Sequence, residues 1–139
     1  MGSPSDIDDF LSLKSFAVVG ASRERSKYGN IVYRELRSRG FRVFAVNPLA
    51  HEIEKDPCYP TLGDLPEKVD GAVIVVPPEE AERAVRAAIA TGIRAVWMQP
   101  GAESEEAIRA CVENGLSTIH NACVLVELRR AFSSGGLER

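Results

Sequence analysis

Cysteine is scarce, with Cys58, Cys111 and Cys123 the only three in 139 residues. That odd count, without a CxxC pair, excludes a disulfide scaffold. Histidine is scarcer still, His51 and His120 alone, so a structural zinc site lacks ligands. No apolar run approaches the ~20 residues a membrane span needs. The opening MGSPSDIDDF has neither a basic nor an apolar region of the kind a signal peptide carries. Asp6 stands where a myristoylation pattern needs Ser or Thr. Basic charge is not in excess: 17 Lys and Arg against 20 Asp and Glu leave a net charge of -3. That weighs against a dedicated nucleic-acid binder. The expectation is a reduced, cytoplasmic, soluble protein with neither nucleic acid nor membrane as partner.

What is present is a core. Hydrophobic residues make up 45% and charged residues 27%, the balance of a globular domain, and the length suits one domain. Short, nearly continuous apolar runs at 16–19, 43–46, 72–76 and 95–98 are closed by Gly20, Asn47-Pro48, Pro77-Pro78 and Gln99-Pro100-Gly101. A weaker run lies at 116–119. Strands buried on both faces of a parallel sheet have this composition. Helical periodicity fills the gaps at 29–39, 79–91, 104–114 and about 123–132. A leading helix at 6–13 has Ser5 as its expected cap, and Ser104 is the expected cap of the fourth helix. Gly40, Gly92 and Gly115 each end a helix and precede a strand, which gives β-α-β connections. Arg34, Arg86 and Arg109 stand six residues before those glycines and read as solvated. Residues 50–66 hold three prolines; they read as a long connection with a small helix and an extended piece near Ile53. Residues 133–139 read as a flexible tail.

In an open parallel sheet, ligands bind beyond the carboxyl ends of the strands. The first loop there runs from Gly20 to Asn30. It carries Ser22, Ser26, Arg23, Arg25 and Lys27 beside a helix start, the ingredients of an anion site. It lacks the Gly-Lys-Ser/Thr of a Walker loop. It also lacks GxGxxG, since Ser22 and Arg25 hold the glycine places. The second strand ends in Asn47-Pro48, where a nicotinamide-dinucleotide site carries an acid. A ligand with several phosphate groups suits this loop better. Cys111 and Trp97 read as core, and Cys58 has no evident partner. His120 lacks an evident carboxylate to work with. Cys123 begins a helix, which leaves open a packed thiol or a mixed disulfide with the ligand.

In order along the chain stand Val18-Val-Gly-Ala-Ser22, Lys27-Tyr-Gly29, Val46-Asn-Pro48, Cys58-Tyr-Pro60, Val69-Asp70, Val76-Pro-Pro78 and Val96-Trp-Met-Gln-Pro-Gly101. Together, over roughly residues 14–130, they resemble the small stand-alone proteins of the CoA-binding domain family. That family is similar to the N-terminal domain of the succinyl-CoA synthetase α subunit. The resemblance implies a Rossmann-like fold that holds coenzyme A at the strand carboxyl ends. One departure is Ala122, where relatives often carry a basic residue before the late cysteine; no contact is carried over to it.

The expectation is a single domain with its core at about 14–132: a three-layer α/β sandwich of five parallel strands in the order 3-2-1-4-5, with helices on both faces. Arg23, Arg25 and Lys27 are the expected phosphate partners, with Ser22 and Ser26 beside them and Gly20, Ala21, Tyr28 and Gly29 completing the loop. Asn47, Pro48, Val76, Pro77 and Pro78 form an expected wall for adenine or pantetheine. Gln99, Pro100, Gly101, Asn121 and Cys123 complete the rim. The expected function is binding of CoA or an acyl-CoA without catalysis, with no metal ligand. A small NAD(P)-linked or acyl-transfer enzyme and a ligand-regulated interaction module stay open, as do a protein partner and self-association.

Overall fold

The apolar runs form strands and the amphipathic stretches form helices. In a computed structural model that describes residues 4–133, with side chains from residue 6 to residue 132, the strands are β1 (Ser15–Val19), β2 (Arg42–Val46), β3 (Glu52–Ile53), β4 (Asp56–Tyr59), β5 (Gly71–Ile74), β6 (Ala95–Met98) and β7 (Ser117–Ile119). The helices are α1 (Pro4–Leu11), α2 (Tyr28–Ser38), α3 (Pro78–Ala90), α4 (Glu105–Glu113) and α5 (Val124–Ser133), with a 3-10 turn at Leu62–Asp64. Ser104 Oγ accepts a hydrogen bond from the Ala107 N–H at 3.0 Å and caps α4. Pro78 opens α3, with Glu79 and Glu80 in its first turn. Gly40, Gly92 and Gly115 have φ of 92, 81 and 74 degrees, the left-handed helix ends expected of them. α1 begins at Pro4, so Ser5 lies within the helix and not at its cap. The expected tail, apart from the last residue of α5, lies outside the described residues.

The sheet differs from expectation. Among the described residues it has seven strands, not five, in the order β3-β4-β2-β1-β5-β6-β7. The expected order placed the run at 72–76 outside the run at 43–46. Instead β5 pairs directly with β1, Val18 opposite Val73. The place beyond β2 belongs to β4, with Ala45 opposite Cys58. β3 then pairs antiparallel with β4 as a hairpin. Both residues of its turn have positive φ, Glu54 at 52 and Lys55 at 69 degrees. Such turns usually carry Asn-Gly, and Pro57 inside β4 also argues against a strand, so the sequence conceals the hairpin. Without β3, the parallel strands follow the 3-2-1-4-5-6 order of doubly wound folds.

Side chains alternate across the sheet and build two cores. Phe16, Val18, Val73 and Trp97 pack with α1, α2 and α5, whereas Ala17, Ala72, Ile74, Val96 and Met98 pack with α3 and α4. In the first core Phe10 stacks on Phe16 at 5.1 Å and meets the Trp97 edge at 5.2 Å. Burying each such ring stabilises the fold by roughly 1.5–3 kcal/mol. The Trp97 Nε1–H donates to the Ala122 carbonyl at 2.8 Å, so the buried indole keeps a partner. No helix among the described residues is long and apolar enough to cross a membrane.

Candidate functional site

From β1 the chain crosses through α2 to β2 on one side; from β4 it returns to β5 on the other. The loops leaving β1 and β5 therefore part, and a cleft opens between them at the carboxyl edge. Its volume is about 550 Å³. Gly20, Ser22 and Lys27 line it from the first loop, and Asn47, Pro48 and Leu49 from the end of β2. Val75 and Val76 follow β5, Pro60, Thr61 and Leu62 follow β4, and Glu80, Arg83, Ala84 and Ala87 come from α3. Most of the lining is apolar, and its charged members are Lys27, Glu80 and Arg83.

Hydrogen bonds within the first loop fix its turns. Ser22 Oγ accepts from the Glu24 N–H at 3.0 Å, and Lys27 N–H donates to the Glu24 carbonyl at 3.1 Å. Among the described residues, no hydrogen bond engages the N–H of Arg23, Arg25, Ser26, Tyr28 or Gly29. Those donors surround the start of α2, whose dipole adds positive potential. Lys27 is exposed, and its Nζ lies 3.6 Å from the exposed Glu24 carboxylate, a weak pairing in water. Arg25 is engaged differently: its Nε donates to Glu54 Oε2 at 3.2 Å. Arg23 is exposed and makes no ion pair or hydrogen bond among the described residues. Ser26 and Tyr28 are also exposed, while Gly29 is buried against Gly20.

At the place where a dinucleotide site carries its acid, Asn47 ties two loops together. Its Nδ2 donates to the Ala21 carbonyl at 2.7 Å, and its Oδ1 accepts from the Leu49 N–H at 2.8 Å. Ala21 is fully buried, so it supports the loop from beneath. The Cys58 thiol donates to the Asn47 carbonyl at 3.6 Å, the partner that the sequence did not reveal. Burial pushes the Cys58 and Cys111 thiols up, so neither is prone to ionise.

The remaining candidates do not line the cleft. Pro77, Pro78 and Pro100 are exposed, and Gly101 turns at φ 97 degrees. Gln99 is buried and structural in its contacts. Its Oε1 accepts from the Val124 N–H at 2.6 Å, and its Nε2 donates to Cys123 Sγ at 3.5 Å. It thereby satisfies the start of α5. Asn121 sits at φ 64 degrees in the turn before it. Gln99 follows β6, Asn121 and Cys123 follow β7, and none of the three is among the residues that line the cleft.

Sequence reasoning missed the α3 wall and the contribution of residues 60–62. The α3 signal was available: Glu80, Arg83, Ala84 and Ala87 share one helical face next to Pro77-Pro78. It missed Arg34 as well, which bridges Asn30 Oδ1 at 2.6 Å and the Arg25 carbonyl at 2.9 Å rather than standing in solvent.

Comparison with known proteins gives a consistent relationship. The family described as "CoA binding domain" matches residues 14–129. An ADP-forming acetate–CoA ligase I of Archaeoglobus fulgidus is 46% identical over 72 residues, which are 52% of this chain and 10% of that protein. The ADP-forming acetate–CoA ligase II of the same organism is 36% identical over 91 residues, 64% of this chain and 14% of that protein. The chain thus spans a tenth to a seventh of the length of these curated relatives. A hypothetical protein from Pyrococcus horikoshii OT3, known as a solved structure, superposes with a TM-score of 0.90 at 33% identity, covering 94% of this chain and 92% of that one.

Proposed function

Because the chain belongs to the CoA binding domain family, we propose that its cleft holds coenzyme A or an acyl-CoA and that the protein binds this ligand without transforming it. The observation that carries the reading is the first loop: a set of N–H donors without partners among the described residues, next to Lys27, which lines a mostly apolar cleft. The amides of Arg23, Arg25, Ser26, Tyr28 and Gly29, together with the Lys27 ammonium, would take the diphosphate. Pro48, Leu49 and Val76 would flank the adenine. A volume near 550 Å³ accommodates the nucleotide half, and the pantetheine arm would run along the rim. Among the described lining residues the ionisable groups are Lys27, Glu80 and Arg83. That set suits retention of a phosphorylated ligand rather than nucleophilic chemistry.

The test is thermal. A ligand that binds only the native state at ~100 times its dissociation constant adds about 2.7 kcal/mol of stability. CoA should raise the melting temperature, and NAD at the same concentration should leave it nearly unchanged, since Asn47 replaces the ribose-binding acid and is already engaged on both its amide groups. Equal protection by NAD, or none by CoA, defeats the reading. Turnover of an acyl-CoA by the purified protein would defeat its non-catalytic half.

A further inference from the structure

Behind the first loop lies Asn30, a fully buried polar residue. Its Nδ2 donates to the Ser22 carbonyl at 2.7 Å and to Glu54 Oε2 at 3.1 Å. Its Oδ1 accepts from Arg34 Nε at 2.6 Å, and Arg34 Nη2 donates to the Arg25 carbonyl at 2.9 Å. Two loop carbonyls, at Ser22 and Arg25, are therefore drawn back toward α2. In a trans peptide the carbonyl and the next N–H point in opposite directions, and the described chain has no cis bond. Pulling those carbonyls inward turns the N–H groups of Arg23 and Ser26 away from α2, and both lack a partner among the described residues.

We propose that Glu54, on the β3–β4 hairpin turn, is a positioning residue for this loop: through Asn30 and Arg25 it holds the loop in the shape that presents its amides to the ligand's phosphate groups. The proposal rests on the CoA reading above and adds a residue distant in sequence from the loop. Glu54 is well placed for the task. Its side chain is largely buried, and it takes both the Asn30 amide and the Arg25 Nε. Those two donors, Asn30 first, hold its carboxyl below the ordinary carboxylate range, so it stays ionised near neutrality.

The hairpin itself is anchored to α2. Tyr33 donates its hydroxyl to Asp56 Oδ2 at 2.6 Å, Arg37 pairs with the same carboxylate, and Arg37 also donates to the Glu54 carbonyl at 3.3 Å. Asn30, Tyr33, Arg34 and Arg37 are spaced along one face of α2. The turn is thus fixed before any ligand arrives, and the loop is organised in advance, which lowers the ordering cost of binding. Arg25 serves the loop from within rather than the phosphates directly.

Two variants test this. Glu54→Ala removes both acceptor contacts, whereas Glu54→Gln keeps one oxygen that can accept from Asn30 and Arg25 and exchanges the other, with the charge, for an amide NH2. By titration calorimetry, Glu54→Ala should weaken CoA at least about tenfold, and Glu54→Gln should stay within about threefold of the parent. In nitrogen–proton correlation spectra of the unliganded protein, Glu54→Ala should move the backbone amides of residues 22–26 and the Asn30 side-chain amide. Those of Val18 and Ile74 in the sheet should stay in place. CoA binding by Glu54→Ala as tight as the parent's, or tighter, overturns the proposal, because Arg25 would then have been sequestered rather than used. Unmoved loop amides overturn it as well. If the parent takes up no CoA, the functional reading fails, and the unliganded spectra alone decide whether Glu54 shapes the loop.

Discussion

Gly29 is pressed against the carbonyl of Gly20: a Cβ on Gly29 would stand 2.0 Å from the Gly20 oxygen. The start of α2 thus rests directly on the end of β1. Gly20 itself has a φ of +97 degrees, and a Cβ there would meet the Val75 carbonyl oxygen at 2.3 Å. The obstacles are backbone atoms, which cannot rotate aside as a side chain can. Close approach of strand, helix and neighbouring loop leaves no room for a side chain at either position.

Gly29→Ala should therefore push α2 off β1. Forcing a methyl group into such a contact costs about 1–3 kcal/mol, so the denaturant midpoint should fall and CoA uptake should fall with it. An unaltered midpoint would show that the helix start yields without strain.

Lys27→Ala should weaken CoA binding by roughly one to two decades, the effect of removing a charge-assisted contact worth about 1.5–3 kcal/mol. The apo melting temperature should hardly change, because Lys27 and its partner Glu24 are both mostly exposed. Calorimetry beside an apo melting curve checks both halves. Unchanged affinity would assign the phosphates to backbone donors or Arg23.

Gln99 and Cys123 should separate stability from binding. Gln99→Ala leaves the Val124 N–H without its acceptor, and an unsatisfied buried donor costs about 1–3 kcal/mol. CoA affinity of the folded variant should stay close to the parent's. Cys123→Ser should alter neither property much, since a hydroxyl can also accept from Gln99 Nε2. If incubation with CoA disulfide yields a protein–CoA adduct that reductant releases and Cys123→Ser abolishes, the thiol is reactive and the packing role is wrong.

Alkaline pH should expose the hairpin anchor. Burial, and then the adjacent Asp56 carboxylate, raise the Tyr33 phenol above its ordinary 10.0. A raised native value favours the protonated form in the folded state. That stability is complete below pH 10.0 and is lost as the pH climbs from there toward the native value. Melting temperature followed from about pH 8 to about pH 11 should fall more steeply for the parent than for Tyr33→Phe. Parallel slopes would mean that the Tyr33 phenol is not raised in the folded state, by burial or by Asp56.

Strand and helix positions were readable from the chain because both follow local rules. The apolar run at 95–98 is β6, Ser104 caps α4, and Gly92 stops α3, each decided by residues within a few positions. That the chain turns polar and basic between β1 and α2 was readable for the same reason, since Ser22, Arg23, Arg25, Ser26 and Lys27 stand close together in sequence. The hairpin was not. Its turn lacks Asn-Gly, and Pro57 interrupts the pattern; what holds it is Glu54 and Asp56 reaching α2, 24 residues away for Asn30 and 23 for Tyr33.

Local composition can state that a segment is a buried strand, because burial on two faces demands apolar residues in sequence. It cannot state which strand lies beside which, because β1 offers equivalent backbone donors and acceptors on both edges. The adjacency of β5 to β1 was settled by packing of the whole sheet, and with it the place where the loops part. The cleft is a product of that adjacency: Val76, Leu49 and Arg83 belong to three separate segments that meet only when the sheet is complete. Elements follow from short-range chemistry, whereas the shape between them follows from long-range pairing that no single segment encodes.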